Sequence, residues 1–403
     1  MLNYVDRFLP SVLAEPIKHD LELSDTAIGV INGFGFLIVY AVLGILVARL
    51  ADRGAFGAVI AGCVTLWGTA TMLGGAVQSG FQLALTRIGV AVGEAGSTPA
   101  SHAYVARNFS PDRRAAPLAV ITFAIPLASG ASLIGGGMLA ENLGWRTAFV
   151  VMGALSVVLA PLVLMVVGVR QSLPAPAPSA RIGGNWWALL GKRSFQSVIV
   201  GTALISAAGY SLTTFAPAFL MRSHSMSLGE VGLEYGLTTA LTGVLGLLIV
   251  GRVADRLATS DPRWLLWIVV VTTGLLLPAS VLAFTVESRG AGVWLLALSY
   301  AIGTSYLAPS IAAAHRLVPP EHRATASAIF LFFNATCGAV GPFVTGLISD
   351  ALTTELGVEA LGRSLLMVVP AAQLLGMGCY LLATRWYRGD IVETATRVDQ
   401  QPS

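Results

Sequence analysis

Residues 107–115, RNFSPDRRA, recur 209 positions later as residues 316–324, RLVPPEHRA. The same offset relates residues 137–141, GMLAE, to residues 346–350, GLISD. Two matches in the same order and at one offset indicate that the chain consists of two similar halves.

A third match, between ARLADR at 48–53 and GRVADR at 251–256, has a nearly equal offset of 203. In each half this motif follows the second of the long apolar runs. Parallel repeats of six helices are the plan of transporters that move two helical bundles around a site near the middle of the membrane. The repeat therefore predicts a transporter fold.

The composition points to a membrane protein. Of the 403 residues, 55% are hydrophobic and only 11% are charged. Soluble domains carry about 25% charged residues, so this chain has too little charge to cover a surface that faces water. A soluble enzyme with one large core is excluded. The net charge of +3 comes without a clustered basic face, which argues against binding to nucleic acid.

A helix that spans a bilayer needs about 20 largely apolar residues, and twelve apolar runs mark the candidates. They lie near residues 1–16, 26–49, 57–77, 82–104, 115–140, 147–169, 195–220, 229–250, 264–286, 291–314, 325–349 and 364–384. We predict an all-α membrane protein with twelve transmembrane helices in two pseudo-symmetric six-helix bundles. The predicted divisions are an N-terminal bundle at 1–170, a cytoplasmic linker at 171–194, a C-terminal bundle at 195–385 and a cytoplasmic tail at 386–403.

The first apolar run is shorter than a bilayer needs, and Asp6 and Arg7 interrupt its middle. We therefore expect that the sequence starts inside helix 1 and that some residues belong upstream of Met1.

The distribution of positive charge predicts the orientation. If both termini and the linker face the cytoplasm, seventeen Lys and Arg residues lie on the cytoplasmic side and five on the opposite side. Positive residues are retained on the cytoplasmic side, so we expect this orientation in the cell (inner) membrane.

The sequence lacks the usual signatures of a metal or cofactor. Its three cysteines, Cys63, Cys337 and Cys379, are far apart in apolar runs, without the spacing of a zinc or haem site. The glycines in Gly33-Phe-Gly35 lack the third glycine and the preceding strand of a nucleotide-binding motif. We therefore expect no metal, no cofactor and no enzymatic activity.

The motifs resemble those of the major facilitator superfamily. The resemblance rests on the Asp-Arg motifs at 48–53 and 251–256 and on Gly144-Trp-Arg146 before the sixth predicted helix. Within that superfamily the chain is most similar to the Spinster-like branch. The supporting motifs are LNYVDR at 2–7, LSDT at 23–26, RIGVAVGEA at 87–95, Gly341-Pro342 and Ser349-Asp350.

Four charged residues lie well inside predicted helices: Asp6, Arg7, Arg87 and Glu94. Each costs about 2.5–3.5 kcal/mol or more at a helix centre unless it is paired or hydrated. Asp6 and Arg7 are adjacent, so they point about 100° apart on a helix and cannot pair well with each other. We expect pairs between helices, either Asp6 with Arg87 and Arg7 with Glu94, or the crossed arrangement.

These charges have a structural and a functional interpretation. Two buried salt bridges could join helices 1 and 4, but desolvation offsets much of the attraction in such pairs. Charge inside a membrane is functional by default, so we favour function. The resemblance implies proton coupling at Asp6 and Glu94, with Asp6 as the first candidate and Glu94 as the second. It also implies binding of a substrate head group by Tyr4, Arg7, Arg87 and Glu94.

The Asp-Arg motifs also have two interpretations. They either set the topology or, as the superfamily implies, form a gate that closes the cytoplasmic side, with Asp52 at a helix N-terminus and within reach of Arg107. The predicted gating residues are Asp52, Arg53, Arg107, Asp255 and Arg256. The first motif begins with Ala48 where glycine is usual, and it lacks the basic residues that usually follow. We therefore expect a weaker gate there than in typical relatives.

The second half has aromatic residues at helix depth but no charge that we place there. Those residues are Tyr210, Phe215, Phe219, Tyr300, Tyr306, Phe330, Phe332 and Phe333. Most are expected to be packing residues or to face lipid. A cavity with charge on one wall and aromatics on the other suits an amphiphile with a charged head.

The sequence therefore predicts a secondary transporter that works by alternating access and is coupled to protons. The expected cargo is an anionic or zwitterionic lysolipid-like amphiphile. A small organic anion or a drug is the alternative cargo, and a membrane receptor without transport is a third interpretation. We expect a monomer that contacts its substrate, protons and membrane lipids.

Overall fold

The computed structural model describes residues 1–40, 56–110, 113, 115–168, 190–319 and 322–399. Every regular element in these ranges is helical. The fold is therefore all-α, as predicted.

The described residues of the first half form six helices, several of them interrupted by a turn. They are α1 (Leu2–Val12, continued by Ala14–Asp20), α2 (Asp25–Tyr40, with a turn at Gly33), α3 (Phe56–Gly74), α4 (Gly80–Ala95, continued by Ser97–Asn108), α5 (Ala115–Leu143) and α6 (Trp145–Val167).

The second half contains six more. They are α7 (Arg193–His224), α8 (Leu228–Ala258, with one π-helical turn at Val231–Tyr235), α9 (Trp264–Leu282), α10 (Arg289–Ser305, continued by Leu307–Arg316), α11 (Arg323–Gly338, continued by Val340–Leu356) and α12 (Ala360–Asp399).

Each of the twelve predicted apolar runs therefore corresponds to a helix. Within the described ranges, eight helical stretches are long and apolar enough to cross a membrane by length and composition. The second run is described only as far as Tyr40, and most of the predicted linker at 171–194 lies outside the described residues.

Serine side chains cap the N-termini of several helices. Ser24 accepts a hydrogen bond from the backbone N–H of Ala27 at 3.1 Å, which starts α2. Ser227 and Glu230 form a reciprocal capping box at the start of α8. Between α5 and α6, Gly144 adopts φ +83°, a left-handed conformation that favours glycine.

The helices group into two compact units. One unit comprises Met1–Ala177, Thr213–Leu241 and Pro342–Ser364. The other comprises Pro178–Leu212, Thr242–Gly341 and Leu365–Ser403. The first unit thus contains segments from both halves of the sequence. This grouping is a different division from the predicted repeat boundaries, which remain a prediction from the sequence.

In the first unit, α3 and α6 pack closely through glycines. A Cβ atom added at Gly68 of α3 would lie 2.9 Å from the carbonyl oxygen of Gly153 and 2.9 Å from the Cβ of Ser156, both on α6. Small residues allow two helix backbones to approach each other in this way. The close contact fixes Ser156 beside the interior of the unit.

In the second unit, tyrosine hydroxyls join helices that are otherwise packed through apolar side chains. The Tyr380 hydroxyl of α12 lies 2.6 Å from the Thr202 hydroxyl of α7. The Tyr306 hydroxyl donates to Asn334 Oδ1 at 2.7 Å. Buried tyrosine needs such partners, and here the partners lie on different helices.

The contact between α3 and α6 generates a stability prediction. Gly68→Ala should destabilise the protein by roughly 1–3 kcal/mol, because its methyl group would overlap atoms of α6. Thermal unfolding in detergent measures the effect.

The matched control is Gly62→Ala on the same helix, since no atom of another described element lies within 4 Å of a Cβ added there. Equal melting temperatures for the two variants would contradict the packing explanation.

Candidate functional site

A buried ion pair joins α1 to α4. Arg7 Nε and Nη2 donate to the same oxygen of Glu94, Oε2, at 3.0 and 2.7 Å. The Glu94 side chain is fully buried, and 13% of the Arg7 side chain is exposed. This pair follows the first of the two arrangements that the sequence predicts.

Three aromatic rings surround the guanidinium of Arg7. Its central carbon lies 4.9 Å from the ring centroid of Tyr4, 4.8 Å from that of Phe36 and 4.5 Å from that of Tyr40. Cations over aromatic faces gain about 0.5–2 kcal/mol, depending on exposure. The rings therefore stabilise the charge of Arg7 in addition to its carboxylate partner.

Arg87 on α4 is bound differently, through backbone oxygens. Its two terminal nitrogens lie 3.4 Å from the carbonyl oxygen of Asp6 and 3.3 Å from that of Arg7. Its guanidinium carbon also lies 4.9 Å from the Phe36 ring centroid. In the described part of the chain, Arg87 forms no ion pair, although only 2% of it is exposed.

Pro10 explains why a backbone oxygen is available to Arg87. Proline lacks an N–H group, so it cannot donate to the carbonyl four residues earlier in a helix. In α1 that carbonyl belongs to Asp6, and Arg87 donates to it instead.

The side chain of Asp6 does not form the ion pair with Arg87 that the first predicted arrangement contains. Its Oδ2 accepts a hydrogen bond from the Ser156 hydroxyl at 2.6 Å. Ser156 lies on α6, at the glycine contact with α3. The position of α6 thus gives this carboxylate a neutral partner, and Arg87 reaches only its backbone.

Asp6, Arg7, Arg87 and Glu94 form one buried charged cluster. Two polar atoms of this cluster, Arg87 Nε and Glu94 Oε1, are buried without a hydrogen-bond partner in the described ranges. Buried polar atoms are almost always paired, and each exception calls for an explanation. The cluster therefore has a cationic donor, Arg87 Nε, and a carboxylate acceptor, Glu94 Oε1, without a partner among the described residues.

Two of the predicted gating residues, Asp52 and Arg53, lie outside the described residues. Arg107 lies near the C-terminal end of α4. Asp255 and Arg256 are exposed near the C-terminal end of α8.

Sequence reasoning did not single out four residues that the fold brings to the cluster: Phe36, Tyr40, Trp67 and Ser156. The spacing of four between Phe36 and Tyr40 places both on one helix face, which is a weak signal. Nothing in the apolar run around Ser156 distinguishes it from a packing serine.

The predicted aromatic residues of the second half are mostly packed. Phe215 and Phe330 are each 1% exposed, and Tyr306 is 5% exposed. This agrees with the expectation that most of them are packing residues.

Comparison with known sequences identifies the family. Residues 1–342 and residues 198–385 match the sequence model of the Major Facilitator Superfamily. A Mycolicibacterium smegmatis protein named MFS-type efflux pump is 77% identical over 395 residues, which cover 98% of this chain and 92% of that protein. Protein spinster homolog 1 of Homo sapiens is 31% identical over 393 residues, which cover 87% of this chain and 71% of that protein.

A solved structure has a similar fold. It is a bacterial homolog of the human lysosomal transporter Spinster in an inward-facing and unoccupied conformation. The TM-score is 0.84 at 25% sequence identity, and the match covers 96% of this chain and 95% of that one.

The Arg7–Glu94 pair generates a second prediction. Arg7→Ala or Glu94→Ala alone should each destabilise the protein by about 3–5 kcal/mol, because one buried charge loses its partner. The double variant should lose less than the two single effects together. Thermal or denaturant unfolding of all four proteins in detergent gives the coupling energy.

The matched control is the exposed pair Arg146–Asp20, where the coupling should be within about 1 kcal/mol. Additive effects at Arg7 and Glu94 would contradict a strong buried pair.

Proposed function

We propose a cargo and a coupling mechanism for this chain, which belongs to the major facilitator superfamily and is a Spinster-like, multi-pass membrane transporter. The proposed function is proton-coupled transport of an anionic or zwitterionic lysolipid-like amphiphile by alternating access. The observation that carries the proposal is the pair of buried guanidinium groups, of which only one has a carboxylate partner in the described part of the chain.

Arg87 is proposed to bind the anionic head group. Its hydrogen bonds to the carbonyl oxygens of Asp6 and Arg7 are 3.3–3.4 Å long, and its Nε has no partner among the described residues. A planar guanidinium donates two parallel hydrogen bonds to phosphate or carboxylate. An anion offers Arg87 better acceptors than those it has, so binding does not require breaking an ion pair.

Glu94 and Asp6 are the proposed proton acceptors. Protonation of Glu94 would remove the charge that holds Arg7 at 2.7 Å. Arg7 would then be free to share the anionic head with Arg87, while its aromatic neighbours keep it in place. Asp6 is bonded to Ser156 and not to an arginine. The geometry therefore favours Glu94 as the proton acceptor, because protonation of Glu94 would release an arginine that the cargo can bind. Asp6 is the second candidate.

The direction of transport is proposed to be export from the cytoplasm. A relative that is 77% identical carries the name MFS-type efflux pump. The proposed location is the cell (inner) membrane with both termini in the cytoplasm, as the charge distribution predicts. The transporter is proposed to act as a monomer.

The cytoplasmic gate is proposed to involve Asp52, Arg53 and Arg107 in the first half, with Asp255 and Arg256 as their counterparts. The second pair is exposed, and exposed charges contribute little to stability. The first half is therefore the main gate in this proposal.

Efflux of a small organic anion or drug is the second candidate function. The name of the same 77% identical relative favours it, because that name gives efflux without a lipid cargo. In this proposal, Arg7 and Arg87 would bind either kind of anion. The two candidates differ in whether an apolar chain on the cargo contributes to binding.

Binding measurements test the role of Arg87. Arg87→Ala should weaken binding of a single-chain phospholipid roughly 10- to 100-fold, the loss expected for hydrogen bonds to a charged group. Arg87→Lys should recover only part of the affinity, because an ammonium group acts as a point charge. Ligand-induced thermal stabilisation in detergent measures both.

The control is Arg363→Ala, an exposed arginine on α12, which should bind as the wild type does. Wild-type affinity in Arg87→Ala would remove this residue from the site. Equal binding of the single-chain phospholipid and a short-chain organic phosphate would favour the second candidate cargo.

Flux measurements in liposomes test the coupling. Glu94→Gln and Asp6→Asn imitate the protonated carboxyl groups, so substrate should still bind but flux should no longer respond to a pH gradient. Glu94→Gln is expected to show the larger loss, because only Glu94 pairs with an arginine here.

Glu355→Gln, at an exposed position, should retain the wild-type response. If both cluster variants respond to the gradient as the wild type does, proton coupling at this site is wrong. A wild type that moves no substrate in either direction would favour the receptor interpretation.

A further inference from the structure

The hydroxyl of Ser156 donates its hydrogen bond away from its own helix. A serine inside a helix often donates to the carbonyl oxygen four residues earlier, as Ser305 does to Ala301 at 2.6 Å. Ser156 of α6 donates instead to the carboxylate of Asp6 on α1, also at 2.6 Å. A hydroxyl carries one hydrogen, so this bond uses all that Ser156 can donate.

The backbone at Ser156 is fixed by the packing of α3 against α6. A Cβ atom added at Gly68 would lie 2.9 Å from the Cβ of Ser156, and one added at Gly153 would lie 2.5 Å from the carbonyl oxygen of Gly68. Helices packed this closely have little freedom to shift. Ser156 and Asp6 are each only 1% exposed, so bulk water is kept from the bond. The packing therefore holds the Asp6 carboxylate on Ser156.

Arg87 is the cation with which Asp6 would otherwise pair. Its Nη1 already lies 3.4 Å from the backbone oxygen of Asp6, and the charges of the two side chains attract each other. Glu94, the other carboxylate of the buried charged cluster, is paired with Arg7. Buried charges are ordinarily paired, but in the described part of the chain Arg87 forms no ion pair. The position of the Asp6 carboxylate accounts for this.

We infer that Ser156 is a positioning residue, which keeps the Asp6 carboxylate from pairing with Arg87 and so leaves Arg87 available to the anionic head of the cargo. A neutral hydroxyl satisfies the carboxylate without occupying a cation. An anion that binds Arg87 then replaces only the 3.3–3.4 Å bonds to backbone carbonyls. Without Ser156, the same anion would have to displace a carboxylate from a buried ion pair.

This inference rests on the proposed role of Arg87 in binding the head group, and it adds a residue that acts on Arg87 only through Asp6. Trp67 of α3 is a further neighbour of the Asp6 carboxylate. Ser156 is assigned the positioning role because its hydroxyl makes the short bond.

Binding of an anionic single-chain phospholipid to the full chain in detergent tests the inference, with ligand-induced thermal stabilisation as the measurement. Ser156→Ala should weaken binding about 10-fold, because the head group must compete with a carboxylate for hydrogen bonds to a charged group. Adding Asp6→Asn to Ser156→Ala should restore the wild-type affinity, because a neutral amide is a weaker partner for a guanidinium than a carboxylate is. A packing defect at Ser156 would not be repaired by a change at Asp6.

Ser132→Ala is the matched control. Ser132 of α5 is also buried and also donates to α1, at 2.8 Å, but to the backbone oxygen of Val5 and not to a carboxylate. Ser132→Ala should bind the phospholipid as the wild type does, and adding Asp6→Asn to it should change nothing further.

Wild-type affinity in folded Ser156→Ala would overturn the inference, and so would a weakened affinity that Asp6→Asn does not restore. If Ser156→Ala does not fold, Ser156→Cys takes its place, because a thiol is only a weak donor. Wild-type affinity in that variant contradicts the inference instead.

A second measurement needs no cargo and separates this inference from the proposed function. The melting-temperature shifts of Asp6→Asn and Arg87→Gln are measured singly and together, in the wild type and in the Ser156→Ala background. Their departure from additivity should about double in the Ser156→Ala background, because residues that pair directly couple more strongly.

The two measurements fail in different ways. If Arg87→Ala binds the phospholipid as the wild type does, the proposed head-group role is wrong, while a doubled departure still supports the positioning of Asp6 by Ser156. An unchanged departure overturns the inference, whatever the phospholipid binds.

Discussion

Burial of charge among transmembrane helices is the constraint on which this structure depends. A charged side chain at membrane depth costs several kcal/mol unless protein groups replace its hydration. Arg7 meets this requirement with Glu94 and three aromatic rings, and Arg87 does so with two backbone carbonyls. Pro10 and the α3–α6 glycine contact serve the same requirement, since one frees a carbonyl oxygen and the other brings Ser156 to Asp6.

In the proposed mechanism, this way of burying charge lets the cluster change partners. One arginine is held by a carboxylate, and the other by weaker backbone acceptors. A proton on Glu94 and an anion on Arg87 would therefore alter the same small set of hydrogen bonds. The proposed coupling needs no long proton relay, because the two guanidinium groups are close together. The guanidinium carbon of Arg7 lies 4.8 Å from the centroid of the Phe36 ring, and that of Arg87 lies 4.9 Å from it.

At helix ends, charged side chains are stabilised in a second way, by backbone N–H groups as well as by ion pairs. Asp350 is stabilised by backbone N–H groups at the start of α2, where the helix dipole favours negative charge. Glycines one turn earlier in α5 and α11 let the helix backbones come close enough for such contacts. The buried charged cluster and the contact of Asp350 with α2 thus use different chemistry, and both link helices that are far apart in sequence.

The sequence by itself determined the twelve helices, the repeat and the four charges at membrane depth, because hydropathy and its interruptions are properties of each segment alone. It also limited the pairing to two arrangements, and one of its pairs, Arg7 with Glu94, is present. Only the tertiary structure decided that Asp6 bonds to Ser156, that Arg87 takes backbone oxygens, and that Asp350 caps α2. These partners are 150, 81 and 325 residues apart. Which partner a buried polar group reaches depends on how the helices rotate and pack against one another, and no segment of the sequence carries that information alone.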